Sequence, residues 1–501
     1  MFKKMKVITS NEMQKIERIA IERESSDLEF MKKAAEGIAQ YIIDLNISKK
    51  VVLLLGRGNN AGDALAAALI LLKKGFSIRA YCLFSLSLGS DLFKTHLELY
   101  KKEDGKIDVP SSSKDIYFEK NEIILDGIFG TGFKNKIDKE VLQIIKKINS
   151  FPNIKISIDI PSGLNGNTGK VITTAIKADK TLFLALPKIG FFINEGWNYV
   201  GEIIKIDFGL KKEFLDLAKE KMVIFEERDI LNWIPVIKRT RNKYEAGYVV
   251  GISGSKGMEG AAALTGLASL RSGAGIVKIY LNKGDFSILP REIVKFDLDF
   301  KNSEEIIKIL NKANSIFIGP GIGRDEEIEK FLYQILPKIH VPCVLDADAL
   351  FFFSNNLKCL LPKNVIMTPH KGEMLRILQK ETLSDEELVL ECKNFCKKFN
   401  VHLILKGGPT FIFFPNEIPI VVLRGTPGLA TAGTGDVLTG IIAAMLSQGL
   451  DLKKAALLST FIHGYTSERV AKEKTSYSMI ASDLINSLFK TFKDIKENNI
   501  F

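Results

Sequence analysis

Apolar positions fall along this chain in two alternating rhythms. Short unbroken runs, VVLLL (51–55), EIILD (122–126), KISIDI (155–160) and TLFLAL (181–186), lack the every-second polar residue of a half-exposed strand. They predict strands buried on both faces, as in a parallel sheet. Between them, apolar residues recur at helical spacing over 64–74 and 139–149, and Thr9 followed by Glu12 reads as a capping box opening the first helix. The rhythm restarts with YVVGIS (248–253), GIVKIY (275–280), SIFIGP (315–320), CVLDAD (343–348), NVIMTP (364–369) and HLILKGG (402–408). A charged stretch separates IKIDFGL (204–210) from MVIFEERDI (222–230), which places a boundary near 220. The expectation is two three-layer αβα domains, 1–220 and 221–501, each a sheet covered by helices on both faces.

Composition narrows the class. A chain of 501 residues exceeds one ordinary core, and 46% hydrophobic residues exclude a mainly disordered chain. No apolar stretch is long enough for a membrane span. Five cysteines, an odd and scattered set, argue against a disulfide framework and for a reducing compartment. A cytoplasmic protein is expected. The net charge of +11 admits nucleic acid as a partner, but the lysines are scattered and not interleaved with aromatic residues. A basic surface that draws phosphate-rich small molecules fits as well.

In open α/β sheets, ligands bind beyond the carboxyl ends of the strands, so the residues after each run carry the chemistry. After VVLLL comes GRGNNAGDALAAAL (56–69), where Gly56, Gly58 and Gly62 miss the dinucleotide spacing by one residue. Asn59 and Asn60 offer amide groups to a cation or a phosphate, and Asp63 is expected to cap the following helix. DGIFGTGFKNK (126–136) adds Asp126, two glycines and two lysines; IDIPSGLNG (158–166) adds Asp159 and Ser162 at the same sheet edge.

In the second half, Gly260, Ala261 and Ala262 leave room for a flat ligand at a helix start. Arg324 of GPGIGR (319–324) is a candidate phosphate partner. Asp346 and Asp348 of LDADAL (345–350) are candidates for magnesium-bound water or a substrate amide, and TPHKGE (368–373) exposes His370. The most specific segment is GTPGLATAGTGDVLTGIIAAML (425–446). Gly433, Thr434 and Gly435 open a helix, so unpaired N–H groups and the positive dipole end meet at one point. Asp436 there is placed to take a proton from an attacking hydroxyl. LKGGPTFI (405–412) reads as a strand, a glycine turn and a return strand. No Walker motif is present.

GRGNNAGD, DGIFGTGF and DIPSGLNGNTG, followed by TLFLALPKIGFF, resemble the N-terminal domain of the bacterial bifunctional NAD(P)H-hydrate repair enzymes. ATAGTGDVLTGII, DADAL, TPHKGE and LKGGPT resemble their ribokinase-like, ADP-dependent dehydratase domain. The resemblance implies a Rossmann-like epimerase domain ahead of a ribokinase-like dehydratase domain. Together they would interconvert the epimers of hydrated NADH or NADPH and restore the cofactor at the expense of ADP. It implies epimerase substrate contacts at Asn59, Asn60, Ala61, Gly62 and Asp63. The second loop would add Gly130, Thr131, Gly132, Phe133, Lys134, Asn135 and Lys136. Asn60, Asp126 and Ser162 would bind potassium, and Asp159 would act at the reacting carbon. In the second domain Ala261 or Ala262, Gly321, His370 and Asp436 would meet the hydrate. Lys406, Gly407, Gly408, Pro409, Thr410 and Gly435 would hold the adenine nucleotide, with magnesium as escort. Ala61 and Ala64 stand where the family carries glycine. The expected partners are small molecules and further copies of the chain, with neither nucleic acid nor membrane. The rivals are a ribokinase-like vitamin or sugar kinase and a nucleic-acid-binding scaffold.

Overall fold

The computed structural model describes residues 3–23, 26–133, 137–354, 361–497 and 500. It divides into two compact units, Met5–Met222 and Val223–Phe501, the latter taking in Met1–Lys4. Strand β1 (Lys4–Val7) leads to the helix Ser10–Arg23. Thr9 caps this helix, its Oγ1 accepting from the Glu12 N–H at 3.1 Å. The reciprocal half of the expected capping box is missing, because the Glu12 carboxylate accepts from the Lys219 N–H instead.

The first unit holds a parallel sheet of β2 (Lys50–Leu55), β3 (Ser77–Cys82), β4 (Ile107–Asp108), β5 (Ile123–Gly127), β6 (Lys155–Ile158), β7 (Lys180–Leu184) and β8 (Glu202–Ile206). Their order is β4-β3-β2-β5-β6-β7-β8, with every neighbouring pair parallel. The chain builds outward from β2 in one direction through β3 and in the other through β5. The crevice beyond β2 and β5 is therefore the topological switch point, where such sheets bind ligands. Val51–Leu55 and Ile123–Leu125 are at most 1% exposed, which accounts for their unbroken apolar runs.

The second unit comprises β9 (Met222–Phe225), β10 (Tyr248–Ser255), β11 (Ile276–Asn282), β12 (Val294–Asp297), β13 (Ser315–Ile318), β14 (Cys343–Leu345), β15 (Val365–Met367), β16 (His402–Leu405), β17 (Thr410–Phe413) and β18 (Ile420–Val422). From β9 the order runs β9-β18-β17-β16-β15-β14-β13-β10-β11-β12. β16 and β17 pair antiparallel across the Gly407–Gly408 turn, as do β17 and β18. The other pairs from β9 to β12 are parallel. The helix Thr434–Ser447 is buried from Val437 onward and packs on the helix Glu259–Arg271. Gly440 allows that contact, since a Cβ there would stand 2.3 Å from the Thr265 carbonyl oxygen. The close packing holds the glycine turn at the start of Thr434–Ser447 against the core. Cys82, Cys343, Cys392 and Cys396 are buried free thiols. Among the described residues no helix is long and apolar enough to cross a membrane.

Several apolar runs outlast their strands, and the reason is local. β6 stops at Ile158 because Asp159 takes φ +63°, and β7 stops at Leu184 because Ala185 takes φ +55°. Ala347, two residues beyond β14, has φ +49°. Left-handed backbone at non-glycine residues costs energy and is held only where the surroundings enforce it. Here it turns the chain sharply at three strand ends that reach the candidate sites.

Candidate active sites

In the first unit a cavity of about 960 Å³ opens at the switch point, with Asn59, Asn60, Asp63, Gly130 to Phe133 and Asp159 on its walls. The glycine loop after β2 is shorter than expected. The helix starts at Asn59, with Gly58 as its N-cap and no side-chain cap. Asp63 is thus not a cap: it lies one turn inside the helix, 7% exposed and facing the cavity. Burial, with Asp159 and Glu17 adding to it, pushes its carboxyl well above the usual range. Ala61 and Gly62 turn to the packed side of this helix, away from the cavity lining. Gly62 sits against Met31 and Phe93. Ala61 and Ala64 are ordinary helical residues, so neither suffers for lacking glycine's freedom. Phe129 and Phe133 stack at 5.1 Å beside the cavity. Lys134, Asn135 and Lys136 lie outside the described residues.

Asp126 is fully buried at the end of β5. One oxygen accepts from the Ser162 hydroxyl at 2.5 Å and the Ile128 N–H at 3.2 Å. The other accepts from the Ser157 hydroxyl at 2.8 Å and the Ser162 N–H at 2.9 Å. Burial pushes its pKa up despite these bonds. All four donors are neutral, so a nearby cation would offset the cost of the buried carboxylate. Asn60 donates to the Phe129 carbonyl at 2.9 Å and the Ile158 carbonyl at 3.2 Å, which ties it to the loops carrying Asp126 and Ser162. Ser162 Oγ accepts from the Phe129 N–H at 2.9 Å. Asn60, Asp126 and Ser162 therefore meet around Phe129, and this all-oxygen donor set suits a monovalent cation.

Asp159 is 5% exposed and forms an ion pair with Lys188, a residue 0% exposed. Lys188 also donates to the Leu184 carbonyl at 3.3 Å. Sequence reasoning missed this lysine. It lies in TLFLALPKIGFF, just after β7, where the strand-end rule would have placed it had that loop been read for charge.

The second unit gathers its polar residues beyond the carboxyl ends of five strands. After β13, Gly321 takes φ +64° against the start of Glu259–Arg271; a Cβ there would come within 2.7 Å of the Met258 carbonyl oxygen and 3.1 Å of the Ala261 Cβ. Ala262 is fully buried beneath Gly254, so Ala261 is the accessible member of that pair. Arg324 does not stand free for a phosphate: its Nε donates to Asp348 at 2.6 Å. Asp348 also accepts from the Gly323 N–H. Asp346 is likewise engaged, accepting from Lys406 Nζ on one oxygen and Thr439 Oγ1 on the other, both at 2.8 Å. Both aspartates are 6% exposed or less, and their partners occupy them for the same reason that burial demands pairing.

The Lys406 ammonium lies under the glycine turn, 3.2 Å from where a Gly435 Cβ would be. Burial pulls its pKa down, but Asp346, Glu373 and Asp436 more than reverse this, so it stays protonated. Gly433 takes φ +87° as the N-cap of Thr434–Ser447. The Thr434 hydroxyl donates to the carbonyls of Leu429 and Thr431, at 2.7 and 2.9 Å. His463 Nε2 donates to the Thr434 carbonyl at 2.9 Å, and burial lowers its pKa to about 4, so it is neutral there. The turn is held from three sides. Asp436, in the first turn, is pushed up to about 7 by burial and by Asp346, against the pull of Lys406. A carboxyl at that level is matched to proton transfer near neutrality.

His370 caps the helix Lys371–Ile377, its Nδ1 accepting from the N–H groups of Gly372 and Glu373 at 3.0 and 3.2 Å. That fixes the proton on Nε2 of the neutral ring, which remains exposed. Gly407, Gly408, Pro409 and Thr410 form the β16–β17 turn, closed by the Thr410 hydroxyl on the Gly407 carbonyl at 3.2 Å. Backbone bridging between His370 and Lys406 joins this turn to the His370 loop. Among the described residues no group of three or more His, Cys, Asp or Glu is placed to hold a metal.

Comparison with known proteins finds a match in each half of the chain. The family model described as NAD(P)H-hydrate dehydratase matches residues 249–490, and that of the YjeF-related protein N-terminus matches 27–190. The bifunctional NAD(P)H-hydrate repair enzyme of Dictyoglomus turgidum is 34% identical over 508 residues, covering 97% of this chain and 98% of that protein. Its counterpart in Escherichia coli is 28% identical over 478 residues, with 93% and 91% covered. Among solved structures, the ADP/ATP-dependent NAD(P)H-hydrate dehydratase from Bacillus subtilis, crystallised with ATP and Mg2+, is 28% identical. It covers 54% of this chain and 97% of that one, with a TM-score of 0.48.

Proposed function

Because the chain belongs to the family of bifunctional NAD(P)H-hydrate repair enzymes, we propose that its two units divide that repair between them. NADH and NADPH hydrated on the nicotinamide ring cannot donate hydride. The first unit, residues 1–220, interconverts the two epimers of the hydrate. The second, 221–501, dehydrates the S form and returns NAD(P)H, converting ADP to AMP and phosphate.

One observation carries this reading: Asp436, with a carboxyl near neutrality, at the mouth of a rigid N–H-lined turn with Lys406 beneath it. Asp436 takes the proton of the substrate hydroxyl as that oxygen attacks the β-phosphorus of ADP. The first-turn N–H groups and Lys406 stabilise the charge on the transferring phosphoryl group. The electron pair of the ring nitrogen then expels the phosphorylated hydroxyl as phosphate, and loss of a proton from the neighbouring ring carbon to solvent restores the ring double bond. Gly407 to Thr410 border the nucleotide, and Ala261, Gly321 and His370 border the hydrate. Magnesium would arrive on the nucleotide phosphates, in keeping with its preference for phosphate oxygens and few protein ligands. Potassium in the first unit would be held by Asn60, Asp126 and Ser162, balancing the buried Asp126 and fixing the loops that carry Phe129 and Asp159.

The kinase rival makes a different product. With S-hydrate and ADP, phosphorus resonance should show AMP and free phosphate accumulating together as the absorbance of reduced nicotinamide recovers. A persistent phosphate ester, with no recovered absorbance, would leave the second unit a kinase.

A further inference from the structure

The cavity of the first unit holds a carboxyl that neither the strand-end rule nor the cation cradle calls for. Glu17 lies on the helix Ser10–Arg23, whose buried positions are Ser10, Met13, Ile16 and Ala20. Positions 13, 16, 17 and 20 follow helical spacing, so Glu17 stands on the inward face beside apolar neighbours. It lines the same cavity as Asp63 and Asp159. It makes no hydrogen bond or ion pair among the described residues. Packing gives no reason for an acid there, since an unpaired carboxylate on a core-facing flank costs desolvation energy.

The proposal rests on the epimerase reading. The reacting carbon of the hydrate carries a hydroxyl and is bonded to the ring nitrogen. Epimerisation can proceed by opening that ring. A base removes the hydroxyl proton, the carbon–nitrogen bond breaks as the carbonyl forms, and the electron pair passes to nitrogen. The nitrogen then takes a proton. Rotation and closure on the other face return both protons, with no oxidant or co-reactant. One group must accept a proton while another donates.

Asp159 is held by Lys188 and is suited to accept. We propose that Glu17 is the catalytic acid that protonates the ring nitrogen, working opposite Asp159. Its own level supports the assignment: burial first, then Asp159 and Asp27, raise its carboxyl to about 7, against Lys188. Asp63 is pushed up as well, but it is more deeply buried and so is the poorer donor.

The test uses the full chain and one purified hydrate epimer without ADP, following appearance of the other across a pH series. Wild type should slow as pH rises through about 7, where Glu17 loses its proton, with the apparent value belonging to the cluster of carboxyls. Glu17→Gln should lower the rate about 10²–10⁴-fold and remove that alkaline fall. Glu17→Asp, which keeps an acid on a shorter arm, should recover part of both. A folded Glu17→Gln variant, judged by an unchanged unfolding transition, that keeps the wild-type rate and pH profile overturns the role of Glu17. If Glu17→Gln does not fold, a Glu17→Asp profile identical to wild type in rate and position does so instead. Failure of the wild type to exceed buffer defeats the epimerase reading itself, and the proposal with it.

Discussion

Asp436→Asn should abolish dehydration while leaving ADP affinity nearly unchanged. The amide keeps the shape of the first turn of Thr434–Ser447 but cannot take a proton, and loss of a general base costs about 10²–10⁴ in rate. The turn itself rests on Gly433, on the Thr434 hydroxyl and on His463, none of which the substitution touches. The pH dependence follows from the raised carboxyl. Below about 7 Asp436 is protonated and idle as a base, so dehydration should rise with pH through that point and level off above it. Steady-state rates on S-hydrate with saturating ADP, alongside an ADP titration, check both. Near-normal turnover of the variant would remove Asp436 from the chemistry.

Asp159→Asn should end epimerisation and weaken the first unit at the same time. Lys188 is fully buried, and removing its carboxylate leaves a charge without compensation, which costs about 3–5 kcal/mol. The two effects separate in the double variant Asp159→Asn with Lys188→Met. Removing both charges should restore most of the stability, seen in urea unfolding, and none of the activity. A double variant that interconverts epimers at the wild-type rate would assign Asp159 a purely structural role.

The strand-end rule accounts for what could be read from the sequence. Residues following β2, β5 and β6 in one unit, and β10, β13, β14, β15 and β16 in the other, do gather at one edge of each sheet, because parallel strands all end on the same side. Asn60, Asp126 and Ser162 were read that way, and so was Lys406; Asp436 was read from the glycine turn that opens its helix. What escaped depends on pairing or on helices. Nothing in DADAL says that Asp346 will be taken by Lys406 and Thr439, or that Arg324 will close on Asp348. Those bonds form between residues 24 to 93 positions apart. Asp63 was misread as a cap because Gly58, which has no side chain to cap with, lets the helix start at Asn59. Glu17 was missed because it comes from a helix flank rather than a strand tip. There an acid between apolar neighbours was the signal.

If one chain carries both halves of the repair, R-hydrate must pass through it to NADPH. The direct measurement supplies the full chain with pure R-hydrate of NADPH, ADP, magnesium and potassium, and follows the reduced nicotinamide. Complete return to NADPH is expected, faster than spontaneous epimerisation allows, with one AMP formed per NADPH. NADPH recovered only as fast as S-hydrate forms spontaneously, with R-hydrate consumed no faster than in buffer, would contradict it.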